Sequence, residues 1–291
     1  MTEEHSLILG AEQHIVATLT QASPGSPTQN WCAVLTNSGV IPRSGPHRMN
    51  VHLARHFARM GIPSIRFDMS GLGDSRRATG SLPMVEQWVA DTRAAMDEAQ
   101  ARLGCDRFFM VGFCSGAEVA HLTALADARL RGAVLWDFYA FPTRLSKLYK
   151  LAYRLRRAGV KGIARRFIAK VRPPTTAASH GESSARAPVN AYESLTSAPV
   201  TSREEYTQRF RTLVGQGVEL FFYYSGGEPE WYAYRGQFHD MFKGEAFVQG
   251  VAFEQLALSD HLLTRQPAQQ AFIQDVNRWL KERLLSRGLK P

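Results

Sequence analysis

Cysteine is scarce in this chain of 291 residues, which contains only Cys32, Cys105 and Cys114. Three thiols cannot build the paired framework that holds small secreted domains together, so the sequence excludes a disulfide-stapled fold. We therefore expect a reducing, cytoplasmic setting. Cys32 and Cys105 lie in strand-like apolar surroundings and are predicted to be inert core residues, which leaves Cys114 with a candidate chemical role.

Long apolar runs are also lacking. No stretch reaches the roughly 20 residues that a helix needs to cross a bilayer. Two glutamates lie among the first five residues, where a secretory signal peptide would carry basic residues, so we expect no such signal. Hydrophobic residues still make up 44% of the chain. That content suits one large α/β domain with an insertion, or two smaller domains.

Acidic residues are absent from one segment of an otherwise balanced chain. Residues 141–172 contain eleven Lys or Arg and no Asp or Glu, whereas the other 24 basic and 26 acidic residues nearly cancel. The formal net charge of +9 therefore originates in this segment. Apolar residues at helical spacing within residues 144–170 predict basic amphipathic helices there.

The motif with the clearest chemistry is Gly-x-Cys-x-Gly, which runs from Gly112 to Gly116 with Cys114 at its centre. An apolar, strand-like run precedes it and a helical pattern follows. This is the spacing of a nucleophile elbow, a sharp strand-to-helix turn that tolerates only minimal side chains two positions either side of the nucleophile. Cys114 is the predicted nucleophile rather than Ser115, which would have a phenylalanine at one of those positions.

Several loops resemble those of α/β-hydrolases, in particular exosortase-associated hydrolases and their serine-aminopeptidase-like relatives. The residues that carry the resemblance are Asn37-Ser38-Gly39, Gly45-Pro46-His47-Arg48, Arg66-Phe67-Asp68 and the loop Asp68-Met69-Ser70-Gly71-Leu72-Gly73-Asp74-Ser75. With Cys at the elbow, the chain is similar to dienelactone hydrolases and to cysteine-dependent aminoacyl-shuttling transferases. The resemblance implies an α/β-hydrolase fold, with an eight-stranded, mostly parallel sheet and helices on both faces.

The same resemblance divides the chain into a core, residues 1–137 and 202–291, and an insertion, residues 138–201, after strand 6. Three hypotheses compete for this basic insertion. Its position favours a helical lid over the active site; a membrane-surface helix is the second hypothesis. A nucleic-acid arm is the third, and it lacks interleaved aromatic residues, so we expect no nucleic-acid partner. After the insertion, an eighth strand is predicted over 248–256 and a final helix over 266–285.

The catalytic partners of Cys114 are expected where the resembled fold carries them. His261 stands between the last strand and the last helix and is the expected base. Glu228, just after the turn that follows the seventh strand, is the expected acid. Asp137, after the sixth strand, is the alternative acid, and Glu230 is a further candidate.

Backbone groups are expected to complete the site. The resemblance implies that the N–H of Ser115 and an N–H from the loop after the third strand stabilise an oxyanion. We assign the second donor to Val40, with Gly39 as the next candidate. His47 and Arg48, in the turn beside that loop, are candidates for contact with substrate.

No metal and no resident cofactor is expected. His52 and His56 have the spacing of a metalloprotease helix, but Leu53 stands where that motif requires glutamate. Phosphopantetheine on a carrier protein, or CoA, would enter only as part of the substrate.

A Cys–His–acid triad on this fold predicts chemistry through an acyl-cysteine intermediate. Exchange of a thioester onto sulfur is nearly isoenergetic, which favours an acyl- or aminoacyltransferase or a thioesterase that acts on acyl groups bound to a carrier protein or CoA. An acidic carrier protein would be attracted by the basic insertion. Two alternatives remain: a hydrolase of small esters or lactones, and a non-catalytic binding protein that keeps the fold.

Overall fold

The computed structural model describes residues 2–27, 29–156, 201–227 and 232–286. Within these ranges eight strands form one sheet in the order β1-β2-β4-β3-β5-β6-β7-β8. The strands are β1 (Glu4–Leu9), β2 (Ile15–Thr20), β3 (Trp31–Leu35), β4 (Ser64–Phe67), β5 (Arg107–Phe113), β6 (Leu130–Trp136), β7 (Glu219–Ser225) and β8 (Ala252–Leu256). In this sheet β2 is antiparallel to both of its neighbours, β1 and β4, and all other neighbouring pairs are parallel. The α/β-hydrolase fold with a mostly parallel sheet is confirmed.

Helices connect the strands and cover both faces of the sheet. They are α1 (Met49–Arg59), α2 (Met84–Leu103), α3 (Ser115–Ala126), α4 (residues 144–156), α5 (Arg203–Gly215), α6 (Gln237–Met241), α7 (Phe247–Gly250) and α8 (Gln266–Trp279). A 3-10 turn, Pro46–Arg48, precedes α1, and a π-helical segment, Leu280–Leu285, continues α8. None of the helices in the described ranges is long and apolar enough to cross a membrane.

The central strand β5 shows why the sheet has a core on each side. Its successive side chains alternate between faces, so Phe108 and Met110 join the core under α2, α3 and α5, whereas Phe109 and Val111 join the core under α1 and α8. Because both faces are covered, the strand reads as a continuous apolar run rather than an alternating one.

One boundary and one helix type differ from the sequence prediction. The strand predicted over 248–256 begins only at Ala252, because residues 247–250 form helix α7. Phe247 buries its ring against Phe210 and Phe242, and one helical turn buries a short apolar run as well as a strand does. The final helix reaches Leu285 as predicted but becomes π-helical from Leu280.

The insertion over 138–201 is described only as far as residue 156 and again from residue 201. Helix α4 belongs to this described part. The division into a core and a lid therefore remains a prediction.

Helix α3 approaches its neighbours so closely that two glycines have no room for a side chain. A Cβ at Gly112 would lie 2.3 Å from the carbonyl oxygen of Gly116, and a Cβ at Gly116 would lie 2.7 Å from that of Asn37. Both contacts are with backbone, which cannot swing aside. The glycine spacing read from the sequence thus has a steric cause in the fold.

We predict that Gly112→Ala lowers the free energy of unfolding by about 1–3 kcal/mol, the usual cost of overpacking. Gly215→Ala is the matched control, because a Cβ there meets nothing within 4 Å. That change should leave stability unchanged or raise it by up to about 1 kcal/mol. Urea denaturation measures both, and a Gly112→Ala protein as stable as the wild type would contradict the close approach.

Candidate active site

Cys114 occupies the turn between β5 and α3 in a conformation that few non-glycine residues adopt, with φ 55° and ψ −115°. Two backbone hydrogen bonds hold the turn: Cys114 N–H donates to the Trp136 carbonyl over 2.9 Å, and Ala117 N–H donates to the Cys114 carbonyl over 3.0 Å. The side chain is half-buried. The turn therefore presents a partly accessible thiol at the carboxyl edge of the sheet, where loops of parallel strands converge.

Asp137 and His261 meet beside this turn. His261 Nδ1 donates to Asp137 Oδ2 over 2.7 Å, and the Asp137 side chain is only 2% exposed. The second carboxylate oxygen, Oδ1, accepts the backbone N–H of Ser225 over 2.7 Å. Both oxygens are therefore held, which fixes the direction of the carboxylate and, through it, the orientation of the imidazole.

The acid in contact with His261 is thus the alternative one. Glu228, the first choice from the sequence, and Glu230 lie outside the described residues, so their roles remain untested predictions. Asp137 follows β6 directly, with φ 47° at its own backbone. That left-handed conformation ends the strand at the point where Ser225, the last residue of β7, offers its N–H.

The imidazole of His261 also hydrogen-bonds to the side chain of Cys114. Burial lowers the pKa of His261, but the hydrogen bonds to Asp137 and Cys114 outweigh it and raise the pKa from 6.5 to about 10. The ring is therefore cationic at neutral pH. A cationic imidazole against sulfur stabilises a thiolate, the reactive form of cysteine.

Two contacts that the sequence gave no means of finding position the His261 loop. The indole N–H of Trp136 donates to the His261 carbonyl over 2.9 Å, across 125 positions of the chain. The turn Gly226-Gly227 packs against the same loop, and a Cβ at Gly227 would lie 2.7 Å from the Ser259 carbonyl oxygen.

The candidate oxyanion donors lie where the loop after β3 meets the elbow. Gly39 N–H donates to Ser115 Oγ over 2.9 Å, so the second-choice donor is already engaged. Among the described residues no acceptor contacts the backbone N–H of Ser115 or of Val40. Gly39 thus ties the loop after β3 to the elbow.

His47 and Arg48 are exposed and adopt left-handed backbone conformations, with φ 47° and 62°. His47 lies near the site: burial raises the pKa of Asp260, but hydrogen bonds from Thr264 and the charge of His47 lower it overall. Arg48 acts instead on Arg66. Burial is the main cause that lowers the pKa of Arg66, and nearby cations, Arg48 among them, lower it further. Of the two candidates for substrate contact, the fold brings His47 toward the catalytic loop.

Within the described ranges, no group of three or more His, Cys, Asp or Glu side chains is arranged to hold a metal ion. His52 is exposed on α1, and His56 is half-buried, with its pKa lowered mainly by burial.

Comparison with known proteins agrees with the fold. The family model described as serine aminopeptidase, S33, matches residues 39–195. No curated protein matches the chain in sequence.

Solved structures share the fold at low identity. Est1E from Butyrivibrio proteoclasticus superposes with a TM-score of 0.58 at 12% identity, covering 96% of this chain and 99% of its own. The esterase Pf2001 from Pyrococcus furiosus gives 0.57 at 13%, covering 98% and 91%. XC6422 from Xanthomonas campestris, an α/β serine hydrolase without a lid, gives 0.55 at 14%, covering 96% and 94%.

The raised pKa of His261 predicts a pH-dependent stability. Because the folded pKa of about 10 exceeds the unfolded value of 6.5, the stabilisation is complete below pH 6.5 and is lost as pH rises toward 10. We expect His261→Gln to cost on the order of 2–4 kcal/mol at pH 6 and progressively less up to pH 10. Denaturant unfolding across this range measures the difference, with His52→Gln as the control for losing an imidazole. A difference that is constant with pH would contradict the assignment.

Proposed function

Because the chain belongs to the S33 serine aminopeptidase family of α/β-hydrolases, we propose that it is an enzyme that hydrolyses small esters or lactones through an acyl-cysteine intermediate. Cys114 is the nucleophile, His261 the base and Asp137 the acid that orients the base. The backbone N–H groups of Ser115 and Val40 stabilise the oxyanion.

One observation carries the proposal: His261 contacts Asp137 on one side and Cys114 on the other. Acyl transfer requires a nucleophile, a base and an orienting acid in continuous contact, whichever fold supplies them. The esterase Pf2001 has the same fold as this chain, and that likeness alone supports the same reaction class.

The steps follow from the charges of the pair. The Cys114 thiolate attacks the carbonyl carbon of the ester, and the carbonyl electrons move onto the oxygen that the two N–H groups face. The tetrahedral intermediate collapses, and the imidazolium of His261 gives its proton to the departing alkoxide. Neutral His261 then takes a proton from water as that water attacks the thioester carbon. Release of the acid restores the thiolate and the imidazolium.

Sulfur at the elbow favours a second candidate function, transfer of the acyl group to another acceptor. An acyl-cysteine is a thioester, which thiols and amines attack more readily than the oxoester that serine would form. The substrates would then be thioesters on CoA or on the phosphopantetheine of an acidic carrier protein. In this version the acceptor replaces water in the second half of the reaction, and the residues keep their roles.

We predict that Asp137→Asn lowers kcat/KM for activated esters by about 10²–10⁴-fold, because the amide no longer holds a cationic imidazole. Asp260→Asn, which removes the neighbouring carboxylate, is the matched control and should stay within about threefold. Hydrolysis rates on a panel of p-nitrophenyl esters test both variants. A larger loss for Glu228→Gln than for Asp137→Asn would return the acid's role to Glu228.

Intact-mass spectrometry separates the functions. Hydrolysis and transfer both require an acyl adduct that is lost in Cys114→Ala. Turnover of esters without any added thiol or amine supports hydrolysis, and turnover only with an acceptor supports transfer. A protein that forms no adduct, and whose Cys114 reacts with iodoacetamide no faster than a peptide thiol, would be a binding protein and not an enzyme.

A further inference from the structure

Exposed apolar side chains are concentrated on one edge of the molecule. Twelve large apolar residues are conspicuously exposed in the part of the chain that the structure describes, and all but Ile8 lie in segments that follow the carboxyl ends of β3, β4, β6 or β8. Val40, Leu258 and Leu262 belong to the catalytic loops and are 64%, 80% and 41% exposed. This is the edge that carries Cys114. The eleven exposed apolar residues other than Ile8 are called the apolar rim below. Exposed apolar surface gathered beside a site marks a docking face.

Helix α4 contributes the largest share of that surface. Its start is capped, since Ser146 N–H donates to Thr143 Oγ1 over 3.0 Å, and Tyr149 stacks on Tyr234 at 5.3 Å between ring centroids. Four leucines at spacings of three and four residues nevertheless face solvent, at 42–62% exposure: Leu145, Leu148, Leu151 and Leu155. A well-anchored helix therefore holds an apolar stripe outward.

The rest of α4 is basic. Residues 138–156 contain five Lys or Arg and no acidic residue. Lys147 and Lys150 lie three residues apart on the arc beside the leucines. An apolar stripe flanked by cations is the pattern of a helix that lies in the plane of a membrane interface.

We propose that the carboxyl edge of the sheet, through α4 and the apolar rim, docks on an anionic lipid surface. A second copy of this chain fits the charges poorly, because pairing through α4 would set cations against cations. An acidic carrier protein would satisfy the charges but would not require a stripe of leucines aimed into solvent. Docking in this orientation turns the Cys114 side of the molecule toward the bilayer.

Co-sedimentation with vesicles tests the proposal. The full-length protein should bind phosphatidylcholine vesicles containing 30% phosphatidylglycerol, bind pure phosphatidylcholine weakly, and lose binding as salt is raised. Leu148→Ser with Leu151→Ser should lower the bound-to-free ratio at least about tenfold. The matched control is Ile8→Ser, because Ile8 is 57% exposed on the edge strand β1, which lies five strands away from β6, the strand that α4 follows. It should leave the ratio unchanged.

Charge variants make a second, independent comparison. Lys147→Gln and Lys150→Gln should each lower binding about fivefold. Arg107→Gln should have no effect, because Arg107 is exposed at the amino end of β5, on the opposite edge. Circular dichroism and thermal unfolding establish that each variant is folded.

Three results would overturn the proposal. One is the absence of binding to anionic vesicles. Another is binding that the leucine variants leave intact while polyglutamate competes for it, which would indicate an acidic protein partner. The third is a change in oligomeric state, seen by light scattering, as the only effect of the α4 variants.

Discussion

The site depends on one buried carboxylate. Asp137 is almost inaccessible to water, and a charge there is tolerated because both of its oxygens are occupied, one by the Ser225 N–H and one by the His261 ring. That arrangement keeps the imidazole cationic and turned toward the thiol. Removing the carboxylate would leave a buried cation without its counter-charge, so the geometry of His261 and the ionisation of the pair would change together.

The parallel sheet makes this meeting of distant residues routine. Cys114, Asp137 and His261 follow β5, β6 and β8, and the carboxyl ends of parallel strands lie along one edge. Ser225 ends β7, between the strands that supply the acid and the base. Each functional group therefore needs only a short loop to reach its partners, and β5, β6 and β7 are buried along almost their whole length.

How far the sequence predicts this site depends on how local each constraint is. The elbow was predictable, because its motif spans five residues and a Cβ at Gly112 would meet the Gly116 carbonyl within that same motif. The acid was not, because Glu228 and Asp137 follow neighbouring strands that end at the same edge. The N–H of Ser225 and the backbone conformation of Asp137 favour the latter, and neither leaves a trace in composition or spacing.

The sequence could not separate Val40 from Gly39 as the candidate second oxyanion donor for the same reason. The choice depends on the Ser115 hydroxyl, 76 positions away from Gly39, which engages the Gly39 N–H. The fold class was recoverable because the elbow and the loops after the third and fourth strands resemble those of α/β-hydrolases. The start of β8 was harder to predict, because a short buried apolar segment is as compatible with a helical turn as with a strand.

Backbone strain is confined to the functional edge in the same way as the apolar rim. The described chain has six non-glycine residues with positive φ, and all of them (Gln13, His47, Arg48, Cys114, Asp137 and Leu263) lie in segments that follow the carboxyl ends of strands. Each such conformation costs on the order of 1–3 kcal/mol and persists only where the surroundings enforce it. Two aromatic-rich cores, one on each face of the sheet, supply that enforcement. The rigid layers therefore stabilise an edge whose loops would not hold these conformations alone, and the sharp turn at Cys114 is one of them.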